Sequence, residues 1–417
     1  MQRKYPIGIQ TFSEIINENY VYVDKTMILH RMVTENKYVF ISRPRRFGKS
    51  LLSSTLKAYF QGERELFRNL YINNLETEWR KYPVLYFDLS MAKNRDIQGV
   101  KDELYRQLNH YEEKYGTSEL ELSPGQKLAG LIKRANQQEG EKTVVIVDEY
   151  DAAMLDHLHN DEDQSVVLTI MQEFFAPLKA CDANLKFVFL TGITKFAQMN
   201  IFSVVNNINN VSMQPEYEAI CGITEKELHD VFADEIIQLA QKYQCSSGEM
   251  KLKLKQYYDG YRFGRGGEEI YNPYSILNAI QKLHIDSYWF SSGTPTYLIH
   301  QLQRFNTDIT SLDEVRADAS SFDRPTTTMT NALPLLYQSG YLTIKKYDSE
   351  TNSFCLGIPN KEVRIGLAEN LLPIYTNKTD LQDGGLVLDL FNALRTNDID
   401  TFFSILKSYL ASVPYSD

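Results

Sequence analysis

Two short stretches of this sequence carry residue types that can act on a nucleotide phosphate. The first, RPRRFGKS at residues 43–50, ends in Gly48, Lys49 and Ser50. These three residues match the end of a phosphate-binding loop, whose usual form is G-x-x-x-x-G-K-[ST]. Arg43 occupies the position of the first glycine. The stretch is therefore either a nucleotide site with an unusual first residue or a basic turn that matches by chance.

The flanking sequence favours the nucleotide site. The stretch follows the apolar run YVFIS and precedes KSLLSSTL, which has helical spacing. A phosphate-binding loop needs this order, because the backbone amides at the helix start point at the phosphates. Lys49 would reach the outer phosphates, and the Ser50 hydroxyl would bind Mg²⁺. The residues expected to contact ATP are Arg45, Arg46, Phe47, Gly48, Lys49, Ser50 and Leu51.

The second stretch, VVIVDEYD, is an apolar run that ends in carboxylates about a hundred residues downstream. Asp148 at a strand end can hold the water shell of Mg²⁺, and the adjacent Glu149 can polarise an attacking water. The alternative is that Asp148, Glu149 and Asp151 only cap the following helix. The loop upstream favours the catalytic interpretation.

A third candidate follows the next apolar run, FVFLTGITKF, which contains Thr191, Gly192, Thr194 and Lys195. A polar side chain here, and Thr191 in particular, would contact the γ-phosphate or the lytic water. An ordinary strand-to-loop turn is the alternative. The separate run VLYFDLS between the loop and the carboxylates, with Glu149 beside Asp148, favours an ATPase over a small kinase-like enzyme.

The elements that must position these residues are short strands alternating with helices. The apolar runs are 37–42, 83–90, 142–151 and 185–194, with a weaker fifth at 209–213. Each of the first four is nearly all apolar, as in a strand covered on both faces. The residues directly after the loop have helical spacing, and so does the separate stretch from Ile97 to Arg134. The sequence predicts an α/β fold in which helices sandwich a parallel sheet.

Beyond Gly222 the sequence becomes helix-rich. Thr224 and Glu227 form a capping-box pattern, and Pro273 marks a helix start. From about residue 331, a helix, a stop at Gly340 and a hairpin follow the outline of a winged helix. The predicted domains are a P-loop ATPase domain at 1–215, a helical lid at 216–305, a winged-helix-like domain at 306–375 and a helical segment at 376–417.

Composition narrows the classes of function. With 44 basic and 54 acidic residues, the net charge of −10 argues against coating nucleic acid through bulk charge. The four cysteines form no C-x-x-C, and His157 and His159 are two apart on a predicted helix, so neither set suggests a metal site. No stretch of about 18 apolar residues occurs, which predicts a cytoplasmic protein without a membrane segment.

Ordered motifs along nearly the whole chain resemble the AAA-ATPase-like family of bacterial P-loop proteins. They are YPIGIQTF, YVYVDKT, RPRRFGKS, VVIVDEYD, FVFLTGITKF, IFSVVNNI, YYDGYRFG, YNPYSILN, YWFSSGTPTYLI, GYLTIKKY and IPNKEVR. The family's loop also has arginine in place of the first glycine. The resemblance implies that ATP and Mg²⁺ bind, with Arg43, Arg45 and Arg46 adding charge around the phosphates or forming a solvated basic turn. It also implies a following domain similar to PD-(D/E)XK nucleases, but no D…ExK pair occurs after residue 375.

Two further motifs have open interpretations. Asp24, Lys25 and Thr26 would lie near the adenine, or Asp24 would only cap a helix. Asp259, Tyr261 and Arg262 would face the nucleotide from the lid, with Arg262 sensing phosphate charge, or they would form a structural turn.

Three functions remain open at this stage. The first is Mg²⁺-dependent ATP hydrolysis coupled to movement of the lid and the C-terminal domains. The alternatives are a nucleotide-gated switch with little turnover and a nucleic-acid-linked module acting through the winged helix. Lys345 and Lys346 lie beside acidic residues, which makes a poor phosphate footprint for the last of these.

Overall fold

A five-stranded parallel sheet forms the centre of the first half of the chain. The computed structural model describes residues 3–93, 95–157, 160–194, 207–289, 296–307, 311–322, 329–376, 389–390, 392–393, 396 and 398–412. The strands of this sheet are β1 (Tyr38–Ser42), β2 (Val84–Asp88), β3 (Thr143–Asp148), β4 (Leu185–Gly192) and β5 (Asn209–Asn210). Their order is β2-β3-β4-β1-β5, and every neighbouring pair is parallel. The predicted α/β class and all five predicted strands are therefore confirmed.

The register of the sheet brings the predicted site residues to one edge. Every side chain of β1 and β3 is buried, as expected for strands covered on both faces. Ser42 at the end of β1 pairs with Gly192 at the end of β4. Asp88 at the end of β2 pairs with Asp148 at the end of β3. The carboxyl ends of four strands thus meet at the edge where the phosphate loop leaves β1.

Helices cover both faces of this sheet and make up most of the second half. The helices before residue 222 are α1 (Phe12–Asn17), α2 (Thr26–Glu35), α3 (Lys49–Phe60), α4 (Ile97–Tyr115), α5 (Pro124–Glu139), α6 (Ala152–Asp156), α7 (Asp161–Phe175) and α8 (Pro177–Ala180). Those after it are α9 (Glu225–Val231), α10 (Ala233–Lys242), α11 (Ser247–Tyr258), α12 (Pro273–Lys282), α13 (Thr296–Arg304), α14 (Ala319–Phe322), α15 (Leu333–Gln338), α16 (Lys361–Thr376) and α17 (Ile399–Ser412).

The predicted helical stretch from Ile97 to Arg134 is in fact two helices. Gly116, with φ of 81°, ends α4 in a conformation that other residues rarely adopt. Ser123 then starts α5 with a capping box, in which its hydroxyl accepts from the Gln126 amide, and Pro124 follows at the first helical position. These stop and start signals outweigh the helical spacing of the residues between them.

The capping box, the helix-starting proline and the helix-ending glycine predicted for the second half of the chain are all present. Thr224 and Glu227 form the capping box of α9, and Pro273 is the first residue of α12. Gly340, with φ of 87°, separates α15 from a hairpin. Before it in the chain, β6 (Ile223–Thr224) and β7 (Ile270–Tyr271) form a two-stranded antiparallel sheet. The hairpin strands are β9 (Thr343–Asp348) and β10 (Ser353–Gly357), and β8 (Val315–Asp318) extends them to a three-stranded antiparallel sheet. The winged-helix assignment and the domain boundaries stay predictions.

The two halves share one hydrophobic core. On one face of the sheet, Phe47, Leu52 and Leu56 pack in the same cluster as Leu335 and Tyr341. A second cluster on the other face contains side chains of α4, α5 and α7. The phosphate loop is therefore in direct contact with the later helices. Among the described residues, no helix is long and apolar enough to cross a membrane.

Candidate nucleotide site

The loop between β1 and α3 has the backbone of an anion-binding turn. Gly48 lies in the left-handed region with φ of 89°, and α3 begins at the next residue, Lys49. A Cβ added to Gly48 would meet nothing within 4 Å, so the backbone angle, and not a lack of space, requires glycine here. Arg46 also has a positive φ, 68°. Two left-handed residues close together turn successive amides toward the start of α3.

Lys49 lies within the loop and faces the carboxylates of β3. Its side chain is buried, and Nζ donates a hydrogen bond of 3.0 Å to the Pro44 carbonyl. Burial lowers the pKa of Lys49, while the negative charges of Glu149 and Asp148 raise it. The ammonium is therefore bonded to the loop backbone, and the negative charges of the strand-end carboxylates favour its charged form.

Asp148 occupies the buried end of β3. Burial raises its pKa to about 6, opposed by a hydrogen bond from the Ser50 hydroxyl and by the charge of Lys49. The Tyr86 hydroxyl donates to its Oδ2 at 3.4 Å. A carboxylate beside a hydroxyl is an oxygen-only donor set, which fits Mg²⁺ with most of its water ligands retained. Ser50 and Asp148, the two residues predicted to serve the metal, are thus brought together.

Glu149 is placed differently from its neighbour. Its φ is 49°, a left-handed value that is uncommon for a residue with a Cβ. Its amide donates to Asp148 Oδ1 at 3.0 Å, and its side chain is only partly buried. Such backbone angles cost free energy and occur often at active sites. The turn directs the two adjacent carboxylates into different surroundings.

Asp151 connects the end of β3 to the end of β4 through hydrogen bonds. The sequence predicts at most a helix-capping role for this residue. Its Oδ2 accepts hydrogen bonds from the Ile193 amide at 3.0 Å, the Thr194 amide at 2.6 Å and the Thr194 hydroxyl at 2.7 Å. Its side chain makes no capping bond to α6. A Cβ on Gly192 would lie 2.4 Å from Asp151 Oδ1, so only glycine fits there. Apart from the residue types, no pattern in the sequence predicts this contact.

Thr191 has an unused hydroxyl beside these carboxylates. The residue is buried near the end of β4, and its carbonyl accepts from the Tyr150 amide at 3.1 Å. Its Oγ1 is buried without a hydrogen-bond partner in the described part of the chain. A buried hydroxyl without a partner costs about 1–3 kcal/mol, which a bound phosphate or water would recover.

Arg43 does not lie at the phosphates and is not a solvated residue. Its side chain is 1 % exposed and points into the protein. Nη1 donates to the carbonyls of Ser42 at 2.9 Å and Ser212 at 2.8 Å, and Nη2 donates to the Tyr217 carbonyl at 3.0 Å. The guanidinium also lies 4.3 Å from the centre of the Phe263 ring. Arginine in place of the usual glycine therefore ties the loop to the segment after β5.

Arg45 and Arg46 lie where the loop meets the second half of the chain. The Arg45 carbonyl accepts from the Trp289 indole at 3.4 Å. The Arg46 guanidinium stacks 3.8 Å from the centre of the Tyr274 ring. Its Nη1 is buried without a hydrogen-bond partner among the described residues. Arg46 thus keeps a donor that a phosphate oxygen can use.

An apolar pocket opens beside Gly48. It encloses about 680 Å³, including the part that opens to solvent. It is lined by Pro6, Val21, Tyr22, Val23, Lys25, Leu29, Phe47, Gly48, Leu51, Leu52, Thr55, Ile220, Cys221, Gly222, Ile223, Phe232, Pro273 and Leu277. The motif YVDKT contributes Tyr22, Val23 and Lys25 to this pocket, and Lys25 pairs with Glu227. Asp24 does not line the pocket, and its carboxylate accepts a hydrogen bond of 2.8 Å from the Thr26 amide.

The YDGYRFG turn has mainly structural contacts. Arg262 donates to Glu269 at 3.0 Å and to the Lys345 carbonyl at 2.9 Å. These contacts account for its orientation. The Tyr261 ring packs on Phe47 with 4.8 Å between centres. Burial raises the pKa of Asp259 to about 7.

Several predictions fall partly outside the described residues. Lys195, His159 and much of the segment 376–417 are among these. His157 is described, and its Nδ1 lies 2.7 Å from the Ala153 carbonyl oxygen.

The chain is similar to a known family and to known proteins. The family model described as "Predicted AAA-ATPase" matches residues 6–202. A protein of Azotobacter chroococcum mcd 1, described as "Uncharacterized protein in vnfD 5'region", is 32 % identical over 419 residues, covering 99 % of this chain and 78 % of that protein. The ORC2 protein of Aeropyrum pernix, solved as ADPNP-ADP complexes, is 13 % identical with a TM-score of 0.32, covering 84 % of this chain and 95 % of that one. This chain belongs to the AAA-ATPase-like family.

Proposed function

We propose that this protein binds ATP with Mg²⁺ and hydrolyses it. The observation that carries the proposal is that the loop residues Lys49 and Ser50 and the strand-end Asp148 lie at the same edge of the sheet, where the Ser50 hydroxyl bonds to Asp148. A loop lysine, a hydroxyl on the first turn of α3 and a strand-end aspartate are the parts that P-loop ATPases use for the phosphates and Mg²⁺. Mg²⁺ would neutralise charge that develops on the phosphate oxygens.

Each residue has a separate role in this proposal. Lys49 exchanges its bond to the Pro44 carbonyl for the outer phosphate oxygens. Glu149 orients a water for in-line attack and accepts its proton. Thr191 uses its free hydroxyl to hold the γ-phosphate or that water. Asp148 and Ser50 hold the metal and its water shell.

The purine is proposed to lie in the apolar pocket. The pocket adjoins Gly48, so a base within it can remain attached to phosphates in the loop. Its walls come from the segment before α2, from the loop and from the predicted lid helix α12. Binding of ATP would therefore bridge the ATPase domain and the lid.

A nucleotide-gated switch with little turnover is the second candidate. It is favoured by the contacts of the loop with the second half of the chain, where Gly340 packs against Pro44 and Trp289 bonds to Arg45. These contacts also support coupling of hydrolysis to movement of the lid and the C-terminal domains. Binding of nucleic acid by the hairpin has no comparable support, because Lys345 Nζ is used by the Pro359 carbonyl at 2.8 Å.

Calorimetry of ATP binding to Lys49→Ala tests the site. The variant should lose most of its affinity for Mg·ATP, since it lacks the ammonium that is proposed to bind the outer phosphate oxygens. Lys186→Ala is the matched control, because Lys186 is exposed at the opposite end of the sheet. Unchanged affinity in Lys49→Ala would show that the loop does not bind the phosphates.

A further inference from the structure

The carboxylate of Glu362 is buried, and it is bonded to residues of two other sequence motifs, YNPYSILN and YWFSSGTPTYLI, whose role the proposed ATP site does not explain. It lies in the first turn of α16 and has no exposed surface. The Ser275 hydroxyl donates to Oε2 at 2.8 Å and lies 3.0 Å from Oε1. The amides of Tyr288 and Trp289 donate to Oε1 at 2.6 and 2.8 Å. Glu362 thus fixes the first turn of α12 and the Tyr288–Trp289 segment to the start of α16.

Trp289 transmits this anchoring to the phosphate loop. Its indole donates to the Arg45 carbonyl at 3.4 Å, and its ring centre lies 5.1 Å from that of Tyr341. A Cβ on Gly340 would lie 2.7 Å from Pro44 Cβ and 3.5 Å from Trp289 Cζ2. The loop backbone at Pro44 and Arg45 is therefore covered by Trp289 and Gly340.

Arg46 links Glu362 to the loop by a second route. Burial raises the pKa of Glu362 to about 7, and the charge of Arg46 lowers it. Arg46 stacks on Tyr274, which directly precedes Ser275 in α12. The segment that Glu362 fixes therefore also supports Arg46, whose Nη1 has no hydrogen-bond partner among the described residues.

The start of α16 is itself firmly held. Asn360 Oδ1 accepts from the Val363 amide at 3.0 Å, and its Nδ2 donates to the Asp259 carbonyl at 2.8 Å. Glu362 therefore acts from a fixed helix end. Displacement of α16 would move Trp289 away from the loop.

We infer that Glu362 is a positioning residue that sets ATP affinity by holding Trp289 and α12 against the phosphate loop. The inference rests on the proposed function. Glu362 does not contact the strand-end carboxylates, which lie on other elements, so it serves binding and not the chemical step. Glu362 acts by connecting α16, in the second half of the chain, to the phosphate loop in the first half.

The test compares binding, chemistry and Trp289 fluorescence in one set of variants. Trp79 and Trp289 are the two tryptophans of the chain, so a Trp79→Phe background makes Trp289 the sole reporter. Glu362→Ala should raise the Kd for Mg·ATP about 10- to 100-fold, the order for losing charge-assisted hydrogen bonds. The single-turnover rate at saturating ATP should stay within about threefold, since Lys49 and Glu149 are untouched. The emission of Trp289 should move to longer wavelength.

Conservative and control variants separate positioning from general damage. Glu362→Gln keeps an oxygen for the Tyr288 and Trp289 amides and should restore most of the affinity. Glu112→Ala removes another buried carboxylate, paired with Lys127 at 2.7 Å on the opposite face of the sheet, and should leave the Kd unchanged. Trp289→Phe keeps an aromatic ring but loses the bond to Arg45, and it should weaken ATP binding even if Glu362→Ala does not fold.

The outcomes are distinct. Wild-type affinity in both Glu362→Ala and Trp289→Phe would overturn the inference and leave the proposed function intact. An equal loss of affinity in Glu112→Ala, or a saturated rate that falls as far as the affinity, would overturn it too, because the effect would then be general. No ATP binding by the wild type, or equal binding by Lys49→Ala, would overturn both the inference and the proposed function.

Discussion

The amide of Glu149 donates a hydrogen bond of 3.0 Å to the carboxylate of Asp148, and this turn separates two adjacent acidic side chains. Asp148 is buried beside Ser50 and Tyr86, whereas Glu149 is partly exposed. Adjacent carboxylates in different surroundings can take different parts in one reaction. Asp148 is suited to a metal that is present throughout, and Glu149 to a water that reacts.

Asp148→Asn should weaken Mg²⁺-dependent ATP binding. The amide keeps the shape of the side chain but loses the charge that the metal and its water shell need. We expect a loss of about 10- to 100-fold in affinity, the order seen for outer-shell partners of metals. Calorimetry with and without Mg²⁺ measures the effect. Asp88→Asn, at the paired position of β2, is the control, and an equal loss there would argue against a specific role for Asp148.

The affinity for Mg·ATP should fall as the pH is lowered through about 6. The pKa of Asp148 is raised to about 6 by burial, so the carboxyl gains its proton between about pH 7 and 5 and loses the charge that attracts Mg²⁺. Titrations across this range should show the decrease in wild type. The decrease should be absent from Asp148→Asn, and a persisting decrease would assign the titration to another group.

Arg43→Gly, which restores the usual first glycine of the loop, should destabilise the protein. The Ser212 and Tyr217 carbonyls would lose their donor in a buried place. The expected decrease in the free energy of unfolding is about 2–4 kcal/mol, from lost hydrogen bonds to a charged group and a cavity. Urea denaturation measures it. A variant as stable as wild type would show that the arginine is not needed to anchor the loop.

Val23→Trp should lower ATP affinity by filling the pocket beside Gly48. Because Lys49, Ser50 and Asp148 do not line this pocket, binding of inorganic tripolyphosphate should be unchanged. Competition between the two ligands in the variant and in wild type gives both affinities. Equal losses for both ligands would place the base elsewhere.

The strands could be predicted because short, nearly apolar runs such as YVFIS and VVIVD are typical of strands that are covered on both faces of a sheet. Gly116 and Ser123 also mark the break between α4 and α5 in the sequence. The helical spacing on both sides of them nevertheless led to the prediction of one continuous helix. The role of Arg43 was not predictable, since its partners are backbone carbonyls, which carry no side-chain signature. Glu362 was hidden for a related reason, because two of its donors are amides more than 70 residues away in sequence.

Single-turnover hydrolysis by wild type and Glu149→Gln tests the central claim most directly. The substitution removes the base but leaves Lys49, Ser50 and Asp148 in place, so ATP binding should be preserved. The rate of hydrolysis should fall about 100-fold or more, the usual order for loss of a general base. Assays with and without DNA should show the same ratio. Wild type that hydrolyses ATP no faster than Glu149→Gln in any of these assays would contradict the ATPase account and leave the nucleotide switch.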